Sequence, residues 1–288
     1  MAVGNLTLGG SGKTPLVIGL AEALTRQGWR VAVLLRGYGA AARLPRQVLI
    51  SDDAAQVGDE ALEIHAALPN AAVWVGRDRI ASGQAAIAAG ADLLLLDDGL
   101  QHWRLAHDVG ISVLDRRHGL GNGLLFPAGP LRERPERLGQ ADLLVLTGPD
   151  HPLAAAYPPA VWPLSKPWIL LSSWIVPPGH LQGRPLLAFC GIGLPEKFFA
   201  ALVQAGLQLV ATAGFPDHHA YAERELEQLR RQADAVGATL VTTVKDWQRL
   251  PPSWQQRVEA LPPELDARAV LDIAASVDLL LPRHDGWF

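Results

Sequence analysis

The chain has 288 residues, 49% hydrophobic and 19% charged, which predicts a folded globular protein with one large or two modest domains. A formal net charge of -4 and a pI near 6.1 argue against a nucleic-acid partner bound by bulk charge. The single cysteine, Cys190, excludes an internal disulfide framework and favours a reducing cytoplasm, and every apolar run is shorter than the roughly 20 residues of a membrane-spanning helix.

The first half of the chain alternates helical and strand-like patterns. After the glycine-rich residues 7–14, apolar positions recur at helical spacing as far as Gly28, a typical helix C-cap. Strand-like runs then follow, with helical patterns between several of them: "WRVAVLLR", "AAVWVG", "ADLLLLDDG", "DVGISVLD" and "ADLLVLTG". Unbroken apolar strands alternating with helices are typical of a parallel sheet covered on both faces, so we predict an α/β domain at residues 1–156.

A Pro- and Trp-rich passage at residues 157–183 interrupts this pattern and is predicted to be an interdomain linker with one or two extended segments. Residues 184–288 then form a second, smaller α/β domain in this interpretation, because strand and helix patterns resume there. The clearest of them are "PLLAFCGIG", "PEKFFAALVQAG", "LQLVATAGF", "AERELEQLRRQADAVG" and "TLVTTVKD". The position of the late apolar run "ARAVLDIAASVDLLLP" stays open.

The octet "TLGGSGKT" is close to the P-loop pattern G-x-x-x-x-G-K-[ST], although Thr7 occupies the first glycine position. Such a turn points backbone N–H groups at phosphate oxygens, while the lysine reaches the β- and γ-phosphates and the hydroxyl of the next residue binds Mg²⁺. The residues predicted to bind a nucleotide in this way are Gly9, Gly10, Ser11, Gly12, Lys13 and Thr14. The alternative is an ordinary glycine-rich turn followed by an exposed lysine.

A second motif supports the nucleotide interpretation. The apolar strand "ADLLLL" ends in Asp97 and Asp98, which brings carboxylates to the C-terminal edge of the sheet, where magnesium is held in P-loop proteins. Simple solvation or helix capping is the alternative for two acids at a strand end. The two motifs together predict a P-loop NTPase-type fold that binds a nucleotide.

Candidates for proton transfer lie in two further motifs. Asp59 and Glu60 open a helix in "VGDEA", where acids are favourable in any case, but phosphoryl transfer to a hydroxyl also needs a carboxylate to accept or steer a proton. In "PDHH", His218 and His219 are candidates for one of three roles: metal ligands, a capping element or half of a catalytic pair. Zinc is the weakest of these because a third histidine or cysteine does not follow nearby in the sequence.

Polar residues after the second motif could line a substrate site. Gln101, His102 and Arg104 lie just beyond the predicted C-terminal edge of the sheet, where α/β proteins bind ligands. A group of arginines could clamp a phosphorylated substrate, contact an anionic membrane or be solvated in loops: Arg77, Arg79, Arg132, Arg134 and Arg137.

Together these motifs resemble the tetraacyldisaccharide 4'-kinase family, the lipid A 4'-kinases of Gram-negative bacteria. The likeness runs from residue 3 to about residue 250 in the family's order and includes "VGNLTLGGSGKTP", "LLRGYG", "VGDEA", "VGRDR", "LDDGLQHWRL", "GNGLLFPAGPLRE", "AFCGIGLPEKFF", "FPDHHAY" and "TTVKDWQRL". The resemblance implies ATP- and Mg²⁺-dependent phosphorylation of the 4'-hydroxyl of a tetraacylated glucosamine disaccharide 1-phosphate. It also implies a peripheral location at the cytoplasmic face of the bacterial inner membrane.

The resemblance further implies a role for each matched residue. Asp59 is the general base, steered by His218 after the domains close and exclude water. Lys13 holds the transferred phosphate, and magnesium is held by Thr14, Asp97 and Glu60. The residues that line the substrate side are Asn5, Tyr38, Arg77, Gln101, His102 and Arg132.

Two departures keep alternatives open. The family carries a membrane-anchoring helix and a full first strand before its P-loop, and this sequence starts at Met1, so we expect weak membrane association and a poorly supported loop, or a truncated form with little activity. A different class, the ATP-driven switches of the partitioning or metallochaperone kind, has a similar K-G-G-x-G-K-[ST] loop. Leu8 stands at the position of its signature lysine, which weighs against that class.

Overall fold

The computed structural model describes residues 1–38, 40, 44–148 and 167–282. The chain divides into two compact units. The first contains Met1–Asp52, Gln56–Ser173 and Leu265–Phe288, and the second contains Asp53–Ala55 and Trp174–Glu264.

We number the strands and helices of the described residues in chain order. The strands are β1 (Ala2–Gly4), β2 (Val31–Leu35), β3 (Arg46–Gln47), β4 (Ala72–Val75), β5 (Leu93–Asp97), β6 (Gly110–Asp115), β7 (Leu143–Thr147), β8 (Trp168–Leu171), β9 (Ser173–Ile175), β10 (Pro185–Cys190), β11 (Gln208–Gly214), β12 (Thr239–Thr242), β13 (Glu259–Ala260) and β14 (Pro263–Leu265). The α-helices are α1 (Lys13–Arg26), α2 (Ala54–Val57), α3 (Asp59–Ala67), α4 (Arg79–Ala88), α5 (Pro195–Gln204), α6 (Glu223–Ala235), α7 (Val244–Trp247), α8 (Pro252–Gln255) and α9 (Ala267–Leu280). Two 3₁₀ helices cover Pro135–Gln140 and Gly179–Leu181.

The first unit is built on an eight-stranded sheet of order β3-β4-β2-β5-β1-β6-β7-β8, in which only the short β3 is antiparallel to its neighbour. Successive residues of β2 alternate between two apolar cores: Val31 and Val33 share one with α1, and Leu34 shares the other with Ala86 of α4. A sheet covered on both faces explains why its strands read as unbroken apolar runs. The predicted α/β fold with a mostly parallel sheet is confirmed.

Strand β1 is only three residues long, yet it pairs on both sides. Val3 lies opposite Asp97 of β5 and Ile111 of β6, so the strand leading to the P-loop is next to the strand that ends in the two acids. The residues of β1 are fully buried. The loop is therefore supported by two neighbouring strands, although β1 is shorter than the typical strand of about five residues.

Two segments differ from the domain limits predicted from the sequence. Residues 168–171, predicted as part of the linker, form β8 and extend the first sheet beside β7; residues 149–166 lie outside the described residues. Helix α9, predicted within the smaller domain, packs against α1 in the first unit. Its buried Ile273 and Val277 complete the core that contains Leu20 of α1, so the late apolar run returns to the first sheet.

The second unit has a parallel sheet of order β11-β10-β12-β13. Side chains of β10 alternate between two cores, with Leu186 facing Leu202 of α5 and Leu187 facing Leu226 of α6. This alternation is the period of two expected of a strand between two helical layers. A short two-stranded sheet pairs β9 with β14.

Candidate active site

The glycine-rich loop connects β1 to α1, as the sequence predicts. Gly9 and Gly12 have φ values of 99° and 84°, in the left-handed region that favours glycine. Gly12 directly precedes the first residue of α1, so the loop ends at a helix N-terminus, the usual position for a bound phosphate. The Thr147 hydroxyl at the end of β7 donates to the Ser11 carbonyl oxygen over 2.8 Å and fixes the loop from the neighbouring strand.

Lys13 is held between the two motifs. Its Nζ donates to Asn5 Oδ1 over 2.8 Å and lies 3.4 Å from Asp98 Oδ1, while Arg132 Nη1 lies 2.6 Å from Asp98 Oδ2. Asn5 is fully buried and also donates to the Thr7 carbonyl oxygen over 2.8 Å. The structure thus brings together four residues from three separate motifs of the sequence: Asn5, Lys13, Asp98 and Arg132.

The turn after β5 is clamped by an arginine to which the family resemblance assigns no role. Arg79, only 5% exposed, donates through Nη2 to the Asp97 carbonyl oxygen over 2.7 Å and through Nη1 to the Asp98 carbonyl oxygen over 3.0 Å. Asp98 has a φ of 51°, a conformation that few non-glycine residues adopt. Arg79 therefore fixes the backbone that aims both carboxylates, whereas the chosen Arg77 is exposed. The sequence alone does not indicate which of Arg77 and Arg79 contacts the turn.

The two acids differ in the direction in which their pKa values are shifted. Burial, the nearby charge of Glu60 and that of Asp98 raise the pKa of Asp97 to about 6, against the opposing charges of Lys13 and Arg79. Burial alone would also raise the pKa of Asp98, but the charges of Lys13 and Arg132 outweigh it and hold that pKa below its usual range. Asp98 is thus an ion-paired carboxylate, and Asp97 is a carboxylate that lacks a sufficient cation.

Asp97 fits a magnesium ligand. Its Oδ1 is buried and makes no hydrogen bond in the part of the chain that the structure describes. Within the same residues no group of three or more His, Cys, Asp or Glu side chains is arranged to hold a metal by itself. This arrangement suits Mg²⁺, which takes one or two carboxylates and completes its shell with phosphate oxygens and water.

Asp59 and Glu60 open α3, as predicted. Asp59 is buried, and its Oδ1 accepts a hydrogen bond from the Glu60 backbone N–H over 2.9 Å. Glu60 contributes to the raised pKa of Asp97, which places its charge near the end of β5. The acids thus belong to the same edge of the first sheet as the two motifs, and their roles as base and metal ligand stay predictions.

The remaining substrate-side candidates divide into two groups. Gln101 Nε2 donates to the Asn5 carbonyl oxygen over 3.1 Å and to Glu133 Oε2 over 3.2 Å, which ties it to the P-loop strand. Burial, with the charge of Arg79, lowers the pKa of His102. Tyr38 is 74% exposed, so its assignment, like that of Arg77, stays a prediction from the sequence.

In the second unit, polar residues gather where the parallel strands β10, β11 and β12 end. Asp246 is fully buried, and its Oδ1 accepts from the Gly191 N–H over 2.9 Å, the Tyr221 hydroxyl over 2.8 Å and Arg249 Nη1 over 3.1 Å. Burial and the charge of Asp246 raise the pKa of Tyr221 far above its usual range, so this hydroxyl keeps its proton and donates it to Asp246. Asp246 therefore joins three loops at one edge of the sheet.

The two adjacent histidines have different environments. The ring of His219 stacks on Phe215 with 4.8 Å between centroids, and its Nε2 lies 3.0 Å from Glu225 Oε2. His218 is exposed, has a φ of 59°, and is held by its backbone N–H, which donates to the Gly191 carbonyl oxygen over 3.1 Å. The His218 ring lies 3.2 Å from Arg249 Nη2 and 3.4 Å from Lys245 Nζ, so both histidine rings have partners within the second unit. The pairing of His218 with Asp59 stays a prediction.

No helix among the described residues combines the length and hydrophobicity needed to cross a membrane.

The chain is similar to known proteins along nearly its whole length. The family model described as tetraacyldisaccharide-1-P 4'-kinase matches residues 1–279. The chain is 43% identical over 264 residues to tetraacyldisaccharide 4'-kinase of Gluconacetobacter diazotrophicus, covering 91% of this chain and 79% of that one. It is 41% identical over 288 residues to the protein of the same name from Jannaschia sp., covering 98% and 86%. Its structure matches the crystal structure of LpxK from Aquifex aeolicus in complex with ATP with a TM-score of 0.74 and 28% identity, covering 98% and 88%.

Proposed function

This chain belongs to the tetraacyldisaccharide-1-P 4'-kinase family, and on that premise we propose that it transfers the γ-phosphate of ATP to the 4'-hydroxyl of a tetraacylated glucosamine disaccharide 1-phosphate in lipid A biosynthesis. The observation that carries the proposal is the junction of Lys13 with Asn5 and Asp98 at the edge of the first sheet. It joins the lysine of the phosphate loop to one of the two acids of the second motif. The same edge contains a buried carboxylate that suits magnesium.

The phosphate side of the site works through charge. Lys13 leaves its position between Asn5 and Asp98 to neutralise the β- and γ-phosphates, and the N–H groups of the loop bind their oxygens. Thr14, Asp97 and Glu60 would hold Mg²⁺, which supplies further neutralisation of the phosphate charge. Because little covalent chemistry is needed in phosphoryl transfer, positioning and charge provide most of the catalysis.

The acceptor hydroxyl needs a base. Asp59 accepts its proton, and His218 of the second unit orients the Asp59 carboxylate once the units close around the substrates. The burial of Asp59 supports its role as the base, because a buried carboxylate is shielded from competing water. His218 suits its part better than His219, because His218 is the more exposed of the two residues and the His219 ring is stacked on Phe215 and paired with Glu225.

Several polar side chains make up the substrate side of the proposed site. Gln101 donates to the Asn5 carbonyl oxygen next to the P-loop strand, and Arg132 is paired with the Asp98 carboxylate. These contacts fix polar side chains that suit the sugar and its phosphate: Asn5, Gln101 and Arg132. Tyr38, Arg77 and His102 complete the set that the family resemblance implies.

An exposed apolar loop supports a peripheral location at the cytoplasmic face of the inner membrane. Leu124, Leu125 and Phe126 are exposed next to one another, with Phe126 at 68%. Trp103, 73% exposed, has the guanidinium carbon of Arg137 4.2 Å above its ring centroid. Exposed aromatic and aliphatic side chains with arginines suit the interface of an anionic bilayer, which is where a lipid-borne sugar is presented.

The ATP-driven switch of the partitioning or metallochaperone kind is not favoured. The family match covers residues 1–279 and the relatives share one activity name, and neither points to that class.

The experiment is incorporation of ³²P from γ-labelled ATP into a tetraacylated disaccharide 1-phosphate by the full chain. We expect Mg²⁺-dependent transfer that Lys13→Met and Asp59→Asn both reduce by at least about 100-fold. Arg117→Lys, a change outside the proposed site, is the matched control. ATP turnover by the wild type without label in the lipid would overturn the proposal.

A further inference from the structure

Residues 121–128, between β6 and the first 3₁₀ helix, are all exposed. Three large apolar side chains follow one another there: Leu124, Leu125 and Phe126. Leu8 of the glycine-rich loop is 46% exposed and lies next to this segment, because its N–H donates to the Pro130 carbonyl oxygen over 2.7 Å. Contiguous exposed apolar side chains are typical of an interaction surface, whereas single ones are common on any protein.

The segment that carries these side chains, residues 121–131, is fixed by its own contacts, and we call it the apolar loop. Asn122 bridges its two arms: Oδ1 accepts from the Leu124 N–H over 3.1 Å, and Nδ2 donates to the Ala128 carbonyl oxygen over 2.9 Å. Gly129 packs so closely inside the turn that a Cβ there would collide with Asn122 Oδ1 and the Leu124 carbonyl oxygen. The apolar side chains are thus held in place before a partner arrives, which reduces the entropy lost on binding.

The apolar loop is bonded to the segment that leads from β1 into the glycine-rich turn. The Leu8 N–H donates to the Pro130 carbonyl oxygen, and the Arg132 N–H donates to the Leu6 carbonyl oxygen, each over 2.7 Å. An isolated antiparallel bridge lies between these two bonds. The next residue after Leu8 is Gly9, so the backbone that supports the apolar loop continues directly into the residues proposed to bind the phosphates.

The charges next to the apolar loop favour an anionic partner. Residues 116–132 contain three arginines and no acidic residue, although the whole chain has a formal net charge of -4. Arg117 is exposed, and Arg132 is exposed as well as paired with Asp98. The interface of a bilayer with anionic head groups takes both features, because apolar side chains enter the acyl boundary while arginines contact the head-group phosphates. The local positive charge also orients this edge of an otherwise acidic chain towards such a surface.

We propose that the apolar loop inserts into the interface of an anionic lipid bilayer, and that this docking tightens ATP binding through its backbone bonds to residues 6–8. Docking restrains those residues before the nucleotide arrives, so less conformational entropy is lost when the phosphate loop closes on ATP. The coupling is reciprocal, and ATP therefore tightens docking by the same factor. That this bilayer presents the lipid-borne substrate rests on the proposed function, whereas docking and coupling need neither substrate nor turnover.

The first test is flotation of the full chain with vesicles that contain no lipid A precursor. One set is made of phosphatidylglycerol and phosphatidylcholine in equal parts, and the other of phosphatidylcholine alone. We expect tighter binding to the anionic set, and a loss of at least about 10-fold in Leu124→Ser combined with Phe126→Ser. Ile50→Ser combined with Ile87→Ser, which changes two exposed apolar side chains outside the loop, is the matched control. Equal binding by the two double variants would overturn the docking.

Other occupants of the apolar loop give different results. Flotation only with vesicles that carry the tetraacylated disaccharide would assign the loop to the acyl chains of the substrate. A wild-type dimer in analytical ultracentrifugation that Leu124→Ser with Phe126→Ser abolishes would assign it to a second copy of the chain. Either result would overturn docking on the bilayer. Equally tight binding to phosphatidylcholine alone would overturn the role of the anionic head groups.

The second test is calorimetric titration of the full chain with ATP and Mg²⁺, with and without the anionic vesicles. We expect the vesicles to tighten ATP binding by the wild type about 5-fold or more. Leu124→Ser with Phe126→Ser should bind ATP like the wild type in solution and show no effect of vesicles. Unchanged affinity of the wild type on addition of vesicles would overturn the coupling. Because neither test contains an acceptor, failure of the kinase assay and failure of this inference are distinguishable.

Discussion

Asp97→Asn should make the protein more stable at neutral pH while removing its function. In the folded protein the pKa of Asp97 is raised to about 6 from an ordinary 3.8, by burial first and then by the charge of Glu60. Between these two values the folded chain binds more protons than the unfolded chain, so the free energy of unfolding falls as pH rises from about 4 to about 6 and then levels off. The gap corresponds to ~3 kcal/mol of lost stability at pH 7.

The assay is urea unfolding of the wild type and Asp97→Asn at several pH values from 4 to 8, with EDTA present. At pH 4 the two proteins differ only by the local effect of the amide. The variant then gains on the wild type by ~3 kcal/mol as pH rises to 7, because it lacks the buried charge. Parallel pH curves for the two proteins would refute the description of Asp97 as a carboxylate that lacks a sufficient cation. Mg²⁺ with ATP should remove the same pH dependence from the wild type alone.

Three further predictions concern the loop and the turn that face each other at this edge. Lys13→Met should weaken ATP binding by at least about 10-fold in calorimetric titration, because a charged donor to the phosphates is lost; unchanged affinity would contradict its role. Arg79→Lys should lower the free energy of unfolding by about 1–3 kcal/mol and raise the Mg²⁺ concentration for half-maximal activity, since one ammonium cannot hold both carbonyl oxygens. The exposed Arg77→Lys is the stability control, and equal effects of the two changes would contradict the clamp. Gly12→Ala should cost about 1–2 kcal/mol in urea unfolding because of its φ of 84°, whereas Gly10→Ala, which adds a Cβ with no atom within 4 Å, leaves stability almost unchanged.

Much of the first sheet could be predicted because its strands are buried on both faces and therefore carry a strong apolar signal. The unbroken apolar run before Asp97 predicts a strand, the helical spacing of apolar residues after the glycine-rich loop predicts a helix, and the structure contains both. The pairing of Val3 with Asp97 shows that the two motifs lie on adjacent strands, which the sequence analysis did not specify.

Helix α9 and strand β8 could not be placed from the sequence. A continuous apolar helix indicates burial but does not specify its partner, and α9 returns to α1 across more than 200 positions of sequence. Strand β8 lies in the passage rich in proline and tryptophan, which is predicted to contain one or two extended segments but not to join the first sheet. Its pairing with β7 is decided by the free edge of the sheet, which local sequence does not reveal.

The site itself was predicted in its residue types more than in its contacts. The motifs identified Lys13 and Asp98, but the role of Arg79 depends on two carbonyl oxygens that carry no sequence signal. Similarly, "TTVKDWQRL" contributes Asp246 and Arg249 to the loop of His218, a relation formed by strand order in the second sheet.

The most direct test of the central claim is ³¹P NMR of the products formed from ATP, Mg²⁺ and a tetraacylated disaccharide 1-phosphate. We expect one new phosphomonoester signal whose phosphorus couples to the proton at the 4' position, and no such signal from a 4'-deoxy substrate. Release of orthophosphate alone, or a new phosphate at any other hydroxyl, would contradict it.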